Sequence, residues 1–329
     1  MPNEQTAQSL AAKIADYRFG EISQPDGEHV LRWVHQFPEA VRAGVLSEMD
    51  HVLGKTYCSR ASAVQFLAGL LTNAALAGEN AGLFWHQANL LDIQQNGNSQ
   101  KEMLGLFKEL LAAGYGQNHQ TTKSNVYVYI DDAIFTGNRV GNDLEAWLKS
   151  DAPRIARVHI IVLAVHTLGS WQLGNRLKKA ASDAGKDITF STWRIGEIEN
   201  RKAYRDSSEI LWPVSLPPSA AEYAGGRFPF EPRRPGGTKS PFSSEAARQL
   251  LEGALVEAGM RIRSFSANPA ANIRPLGYGP FGVGFGSTIV TYRNCPNNAP
   301  LALWWGDPTA GRLHPLSKWL PLVPRKTYG

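Results

Sequence analysis

The stretch NVYVYIDDAIFTGNRV, residues 125–140, joins a strand pattern, two acidic residues and a glycine turn. Its first part is rich in the β-branched and aromatic residues that favour strands. Asp131 and Asp132 follow directly, and Thr136-Gly137 precedes a segment with helical spacing. Adjacent carboxylates repel each other and lose solvation at the end of a buried strand. They therefore need a compensating partner, such as a cation, a basic residue or ligand hydroxyl groups.

Strand and helix patterns alternate on both sides of this stretch, from residue 88 to residue 194. The pattern predicts strands at 88–94, 125–130, 157–165 and 187–194, with helices at 101–114, 141–150 and 171–185. Near-continuous apolar strands joined by helices are typical of a parallel sheet that is covered on both faces. The chain is therefore expected to contain an α/β domain with a parallel sheet.

The sequence predicts three regions along the chain. Residues 1–86 have helical spacing and form an N-terminal helical layer, and residues 87–215 form the α/β core. A stretch rich in Pro and Gly, 213–242, marks a linker or long loop. Beyond it, one helix and the segments GSTIVTYRN and PLALWWG predict an α+β cap or subdomain, rich in β-structure, over 216–329.

The position of the acidic pair predicts a binding site. In an open parallel sheet, ligands bind beyond the carboxyl ends of the strands. Backbone N–H groups at a helix start, with a glycine that allows close approach, form a cradle for phosphate. One site thus offers carboxylates for hydroxyl groups or a magnesium shell and, beside them, amides for a phosphate, and a sugar phosphate fits both. The alternative is that the acids form structural ion pairs and that Thr136-Gly137 is only a helix N-cap.

The segment VYIDDAIFTGNR resembles the signature of the phosphoribosyltransferase family. That signature is an apolar run, two acids, a few variable residues, then Thr-Gly and often a second Thr. The present sequence matches the apolar run, both acids and the Thr-Gly, and departs at Arg139, which stands where the second hydroxyl residue is usual. A guanidinium at this position can hold a phosphate through two hydrogen bonds.

The resemblance implies a type I phosphoribosyltransferase-like fold, with a parallel sheet of about five strands, and a catalytic site at the acids. Asp131 and Asp132 would contact the ribose hydroxyls of phosphoribosyl pyrophosphate and would bind Mg²⁺, directly or through water. The reaction would be transfer or hydrolysis at the anomeric carbon of the ribose. The implied phosphate-binding residues are Ala133, Phe135, Thr136, Gly137, Asn138 and Arg139.

An earlier strand-loop-helix binds the pyrophosphate in that family, and LLDIQQNGNSQKEML occupies the matching place. Its candidate donors are Gln95, Asn96, Gly97, Asn98, Ser99 and Gln100. The alternative is an ordinary polar β–α turn. The familiar enzymes have a long mobile loop before the acidic strand, whereas only YGQNHQTTKS precedes it here. Whether this shorter segment closes over the active site stays open.

A narrower resemblance rests on YRFGEI, RWVHQF, YIDDAIFTGNR and YRNCPNNAPLALWWG. These segments resemble phosphoribosyltransferase-like proteins of bacterial conflict loci, including those that accompany retron reverse transcriptases. The implied function is that of a toxic effector in antiphage defence, with a reverse transcriptase–DNA complex or a winged-helix protein as partner. Two other functions stay open: a non-catalytic sugar-phosphate or nucleotide sensor that regulates a partner, and a nucleic-acid-bound toxin held inactive by a reverse transcriptase and its DNA.

A few other residues are candidates for chemistry. His166 and Thr167 follow the strand at 157–165 and are expected on the same rim as the acids, with Trp171 shortly after, as a base or acceptor pocket. A packing or loop role is the alternative for each. The basic, aromatic segment 193–206 is either a polyanion contact or a solvated loop. GVGFG, 282–286, precedes a predicted strand and is discounted as a dinucleotide motif, and Cys295 has no evident base partner.

Composition narrows the class of protein. The chain is 43% hydrophobic and 19% charged, which indicates a globular protein. Cys58 and Cys295 have no metal-site or disulfide spacing, and the N-terminus lacks the order of a signal peptide, so a cytoplasmic protein without a membrane span is expected. The net charge of +5 permits contact with a polyanion without requiring it. The acceptor substrate and the oligomeric state, a homo-oligomer included, stay open.

Overall fold

The computed structural model describes residues 2–95, 97–116, 124–236, 240–307 and 309–325. The helices in these ranges are α1 (Pro2–Lys13), α2 (Gly27–Val34), α3 (Glu39–Thr56), α4 (Arg60–Leu71), α5 (Ala74–Ala77), α6 (Ala81–Gln87), α7 (Ser99–Tyr115), α8 (Asn138–Lys149), α9 (Thr167–Asp183), α10 (Glu245–Arg263) and α11 (Leu301–Trp304). Short 3₁₀ helices span Lys202–Ser207, Pro218–Ala224 and Pro315–Lys318. The strands are β1 (Tyr57–Cys58), β2 (Asn89–Leu90), β3 (Val126–Ile130), β4 (Ala133–Ile134), β5 (Ile155–Ile161), β6 (Ala164–His166), β7 (Asp187–Trp193), β8 (Gly196–Ile198), β9 (Ile273–Arg274), β10 (Gly277–Tyr278) and β11 (Val290–Thr291).

The chain divides into two compact units. One comprises Arg60–Ile198 and is called the α/β unit here. The other, the terminal unit, comprises Met1–Ser59 together with Glu199–Gly329. The predicted helical region 1–86 is thus shared between the two units, and the three-part division stays a prediction.

The α/β unit contains two parallel sheets. Four strands pair in the order β2-β3-β5-β7, and three pair in the order β4-β6-β8. Every pairing in both sheets is parallel. The prediction of an α/β arrangement with parallel strands flanked by helices is therefore confirmed, although the strands form a set of four and a set of three where about five were expected.

The two sheets are successive parts of the same three chain segments. Strands β3, β5 and β7 each stop and resume as β4, β6 and β8, after the two-residue interruptions 131–132, 162–163 and 194–195. Backbone hydrogen bonds bridge the interruption: Asp131 N donates to Ile161 O (3.0 Å) and Leu163 N donates to Asp132 O (2.9 Å). We call this line the sheet break, and the acidic pair lies on it.

Helices α8 and α9 cover one face of the longer sheet. Leu144 and Leu173 from these helices share an apolar core with Tyr129, Val158 and Ile160 of β3 and β5. Successive strand residues point to opposite faces, so Val128 and Ile130 of β3 line the other face, on which α7 packs. Apolar burial on both faces fixes the register of β3 in the sheet, and therefore the point at which the strand ends and the acids begin.

The C-terminal region differs from the prediction. Within the described residues it is not rich in β-structure, because β9, β10 and β11 have two residues each and PLALWWG contains helix α11. Gly277, Gly282, Gly284 and Gly286 all have positive φ angles, a conformation that interrupts a strand ladder. The predicted strand at 88–94 is likewise reduced to Asn89–Leu90.

The terminal unit is organised around helices. Apolar residues of α1, α2, α3, α10 and α11 form its core, with Trp33, Met49, Leu255 and Leu303 among the buried side chains. Within the parts of the chain that the structure describes, no helix is both long enough and apolar enough to span a membrane.

Candidate active site

The acidic pair is anchored by its own backbone. Asp131 is 1% exposed, and its Oδ1 accepts a hydrogen bond from Asp132 N (2.8 Å). Asp132 is half-buried, and its Oδ1 accepts from Ala133 N (2.8 Å). These bonds use backbone N–H groups at the sheet break, where regular pairing is interrupted. The break therefore orients two carboxylates that regular strand geometry would point to opposite faces.

The environment of Asp131 disfavours its charged form. Burial is the largest effect and the charge of Asp132 adds to it, and together they raise the pKa of Asp131 to about 7. The Ser99 hydroxyl, the Asp132 N–H and the positive charge of Arg139 act in the opposite direction. A carboxyl group with a pKa near neutrality can both take up and release a proton at physiological pH.

Ser99 connects the acidic pair to the earlier loop. Its Oγ accepts hydrogen bonds from Arg139 Nη1 (3.0 Å) and from Gln94 Nε2 (3.1 Å). A hydroxyl group has two acceptor lone pairs and one proton, so these two bonds leave the Ser99 proton for another acceptor, and the Ser99 hydroxyl acts to lower the pKa of Asp131. One buried hydroxyl thus joins the acidic pair, the turn after β4 and the loop before α7.

The loop before α7 is held by two glutamines. Gln94 Oε1 accepts from Gln100 N (3.0 Å), and Gln100 Oε1 accepts from the backbone N atoms of Ile93 (3.0 Å) and Gln94 (2.8 Å). This reciprocal arrangement fixes a loop in which Gly97 has a φ of +91°. Among the predicted pyrophosphate-binding residues, Gln95, Gly97 and Asn98 are exposed, Ser99 and Gln100 are buried, and Asn96 lies outside the described residues.

The Thr-Gly turn leads from β4 into α8. Gly137 has a φ of +77° and is the N-cap of the helix, and Thr136 Oγ1 accepts a hydrogen bond from Asn138 N (3.4 Å). A Cβ atom on Gly137 would lie 2.8 Å from Gly169 O, and a Cβ atom on Gly169 would lie 2.0 Å from Phe135 O. Both glycines are therefore needed for the turn to pack on the first turn of α9. Of the predicted phosphate-binding residues, Thr136, Asn138 and Arg139 are exposed, Phe135 is half-buried, and Ala133 and Gly137 are buried.

Arg139 reaches across to the earlier loop instead of forming a helical ion pair. Its guanidinium hydrogen bond goes to Ser99, while Asp143, one helical turn further on, accepts from Tyr129 Oη (2.8 Å) and Gln95 N (3.4 Å). Burial raises the pKa of Asp143, and these two hydrogen bonds act against the rise. The sequence analysis did not assign Gln94, Tyr129 or Asp143 to the site, although Tyr129 alternates with Asp131 along the strand.

The candidate base or acceptor pocket is only partly accessible. His166 is completely buried, and its ring packs on Phe135 with a centroid separation of 5.2 Å. Burial lowers the pKa of His166 to about 3. A neutral, buried imidazole favours the packing role for His166. Thr167 is also buried at the start of α9, whereas Trp171 is 61% exposed and free to stack on a ligand.

The donor set suits magnesium. Among the described residues, no group of three or more His, Cys, Asp or Glu side chains is placed to enclose a metal ion. Magnesium in phosphate-processing sites is commonly held by one or two carboxylates, with water and substrate phosphates completing the shell. Asp131 and Asp132 match that requirement, and a cation beside them would offset the cost of ionising the buried Asp131.

The remaining sequence candidates have structural partners. In 193–206, Arg194 pairs with Glu197, and Arg201 pairs with Glu199, as expected of a solvated loop. Cys295 is buried, and burial raises the pKa of its thiol well above the usual range, which excludes an activated nucleophile. GVGFG lies in an irregular loop and not at a helix start. The segment 117–123, most of the loop before the acidic strand, lies outside the described residues.

Comparison with known proteins identifies the family. No curated protein gives a significant match to the chain. A family model named PRTase-CE matches residues 30–325, which is most of the chain. The resemblance to phosphoribosyltransferase-like proteins is thereby confirmed. The chain belongs to the PRTase-CE family, a phosphoribosyltransferase-like family.

Proposed function

We propose that this protein binds a ribose 5-phosphate donor, phosphoribosyl pyrophosphate or a nucleotide, at the sheet break together with Mg²⁺. One observation carries the proposal: the acidic pair, the Thr-Gly turn and the loop before α7 converge on Ser99 and Arg139. A donor with hydroxyl groups between two phosphates needs carboxylates flanked by two phosphate cradles. Family membership and the parallel strand order β2-β3-β5-β7 support a type I phosphoribosyltransferase fold around this site.

Each part of the network has a distinct role in this proposal. Asp131 and Asp132 accept hydrogen bonds from the ribose hydroxyl groups. The start of α8 and the Arg139 guanidinium hold the 5-phosphate, since exposed N–H groups and a cation both favour an anion at a helix N-terminus. The exposed part of the loop before α7, at Gly97 and Asn98, receives the pyrophosphate. Magnesium, when bound at the acids, neutralises charge on the pyrophosphate.

The proposed reaction is displacement at the anomeric carbon. The bond from this carbon to a pyrophosphate oxygen breaks, and its electron pair leaves with pyrophosphate. A lone pair of the acceptor, which is a base, a nucleotide, a protein group or water, forms the new bond, through an oxocarbenium-like centre. One carboxylate of the acidic pair takes up the proton that the acceptor loses, since both lie at the site where the acceptor would bind. Trp171 is exposed near the rim and stacks on a base acceptor.

A non-catalytic sensor is the second candidate function. Arg139 bridges the two loops through Ser99, so a phosphate that draws Arg139 away would loosen one loop from the other. Such a change suits the regulation of a partner, which the narrower sequence resemblance suggests is a reverse transcriptase–DNA complex or a winged-helix protein. A role as a toxic effector in antiphage defence is proposed on the same resemblance.

Calorimetry with phosphoribosyl pyrophosphate, ribose 5-phosphate and pyrophosphate, with and without Mg²⁺, tests the binding proposal. We expect magnesium-dependent binding that disappears in Asp131→Asn/Asp132→Asn, while the variant stays folded. The matched control is Asp151→Asn/Asp187→Asn, which removes two exposed carboxylates of the same unit and should bind as the wild type does.

The absence of heat with all three ligands and with ribonucleoside 5′-monophosphates, in folded wild-type protein, would overturn the proposal. If the ligands bind, a pyrophosphate-release assay with candidate acceptors separates the two functions. Release that is lost in the double Asn variant supports the enzyme, and binding without release supports the sensor.

A further inference from the structure

The positive charge of this protein is concentrated near its C-terminus. The segment 258–329 holds eight of the 34 Lys and Arg residues but only one of the 29 Asp and Glu residues, Asp307. That segment therefore carries a net charge of +7, and the rest of the chain carries −2. The net charge of +5 therefore understates the positive potential near residues 258–329, because the rest of the chain is slightly acidic.

Three arginines on this unit lack carboxylate partners. Arg227, Arg263 and Arg274 form no salt bridge with any carboxylate of the described residues, in contrast to Arg201 and Arg205 of the same unit. The guanidinium groups of Arg263 and Arg274 lie 6.0 and 5.2 Å from the centroid of the Tyr223 ring. Two cations therefore flank one buried ring, and Glu222, beside Tyr223, is the acidic group whose charge acts on that tyrosine.

Exposed aromatic rings lie next to these arginines. Phe228 and Phe281 are 38% and 60% exposed, and their rings meet edge to face with centroids 4.9 Å apart. Arg227 lies over Phe228 at 5.2 Å. Phe230 links this pair to Tyr223, because Phe230 N donates to Tyr223 O (2.7 Å) and Gly282 packs against the Phe230 ring. Phe230 therefore connects the segment of Tyr223 with the loop that carries Phe281.

The loop that carries Phe281 is fixed in place. Arg274 Nη1 donates to Gly282 O, and Leu276 N donates to Val283 O (2.8 Å). A Cβ atom on Gly277 would lie 2.4 Å from Asn298 O, so the loop packs closely against neighbouring backbone. An exposed phenylalanine on a rigid loop loses little conformational freedom when a ligand stacks on it.

We propose that the surface formed by Arg227, Phe228, Arg263, Arg274 and Phe281, around the buried Tyr223, binds single-stranded nucleic acid. Exposed rings accept the faces of unpaired bases, and guanidinium groups without a carboxylate partner contact the phosphates between them, which is the combination that single-strand binding requires. A duplex hides its base faces in the stack and offers only its phosphates. The proposal does not depend on the sugar-phosphate site, because every residue of the surface belongs to the terminal unit.

Fluorescence anisotropy with labelled oligothymidine and oligouridine of about 20 nucleotides tests the proposal, with a duplex of equal length for comparison. We expect both single strands to bind more tightly than the duplex. Phe228→Ala/Phe281→Ala should weaken single-strand binding by about tenfold or more, since each ring is expected to stack on a base. Phe228→Trp/Phe281→Trp keeps the rings and should retain the affinity.

The charge contribution needs a matched control. Arg227→Ala/Arg263→Ala should lower the slope of log affinity against log salt by about 1.4, since two phosphate contacts are lost. Arg154→Ala/Lys178→Ala removes the same charge from exposed positions of the α/β unit and should leave the slope unchanged. Asp131→Asn/Asp132→Asn should bind the oligonucleotides as the wild type does, which keeps this test separate from that of the proposed function.

Two results would overturn the proposal. One is unchanged affinity of Phe228→Ala/Phe281→Ala for the single strands, or a duplex bound as tightly as they are. The other is no binding of any oligonucleotide. If removal of the phenylalanines then changes the oligomeric state, the surface is a protein interface.

Discussion

Two clusters of buried charge in this molecule are built in opposite ways. In the terminal unit, Arg233 donates to Glu245 (2.9 Å) and Glu252 (3.2 Å), and Arg248 donates to Glu252 (2.8 Å). Two cations meet two anions, and the remaining donors of Arg248 go to the carbonyl groups of Ser208 and Ile210. In the α/β unit, by contrast, Asp131 lies beside a second carboxylate.

The difference separates a structural cluster from a functional one. The arginine–glutamate cluster balances its own charges and hydrogen bonds, so it needs nothing from outside the chain. At the sheet break the nearby cation, Arg139, donates to Ser99, and its charge only partly offsets the burial and the Asp132 charge that raise the pKa of Asp131. A buried carboxylate beside a second carboxylate destabilises the folded protein when no ligand is bound. The destabilisation becomes smaller when a cation or a ligand hydroxyl group binds beside it.

The largest effect is expected in the balanced cluster. Glu252→Gln keeps the shape but leaves two buried arginines with half of their counter-charge. Breaking a buried ion pair in this way typically lowers the free energy of unfolding by about 3–5 kcal/mol. Urea unfolding measures the loss, and Glu257→Gln, an exposed position on the same helix, should stay within about 0.5 kcal/mol of the wild type. A loss below about 1 kcal/mol in Glu252→Gln would remove the contrast between the clusters.

The acidic pair should respond to pH in the opposite sense from a stabilising carboxylate. The pKa of Asp131 rises from 3.8 to about 7 on folding. Below pH 3.8 both states hold the proton, and between the two values the unfolded chain releases a proton that the folded chain keeps. The stability of the wild type should therefore fall as pH rises through this window, by at most about 4 kcal/mol, and then stay level.

Asp131→Asn should lack this contribution, so its stability relative to the wild type should increase between about pH 5 and about pH 8. Urea unfolding at both pH values measures the difference, with Asp187→Asn as an exposed control. Equal slopes in Asp131→Asn and the wild type would mean that Asp131 is already compensated within the chain, as Glu252 is.

The smallest of the three effects concerns Arg139. Each charge-assisted hydrogen bond from its guanidinium to a phosphate is expected to contribute roughly 1.5–3 kcal/mol. Arg139→Ala should therefore weaken ribose 5-phosphate binding by about tenfold or more, and Arg139→Thr should recover part of the loss. Calorimetry gives the affinities. Unchanged affinity with a clear loss of stability would place Arg139 with Arg233, as a partner of the fold rather than of a ligand.

Local sequence patterns predicted much of the fold. The strand at 125–130 and the helices at 101–114, 141–150 and 171–185 follow the observed elements closely, because their apolar periodicity is strong. The sheet break was not predicted, since residues 160–165 of RVHIIVLAV are all apolar and the interruption at 162–163 depends on alignment with the neighbouring strands. The C-terminal strands were overpredicted because nothing in the local sequence shows that four glycines adopt positive φ.

The site was predicted where a motif marked it and missed where tertiary contacts built it. Asp131, Asp132 and the Thr-Gly turn stand together in the chain, so their shared position was evident. The bond from Arg139 to Ser99 joins residues 40 positions apart, and that from Gln95 to Asp143 joins residues 48 apart. No spacing rule connects such residues, and only the folded sheet brings them together.

The close packing of Gly169 on Phe135 has a consequence for protein engineering. A library that varies residues 135–139 to change donor preference would alter the side chains of the turn. Gly169, which lies outside the motif, would still determine where the backbone of that turn can lie. Even alanine at 169 would place its Cβ atom 2.0 Å from the Phe135 carbonyl oxygen, far inside van der Waals contact. Every member of the library must therefore keep glycine at this position. New specificities on this scaffold must come from side chains that extend outward, since the backbone has no room to move inward.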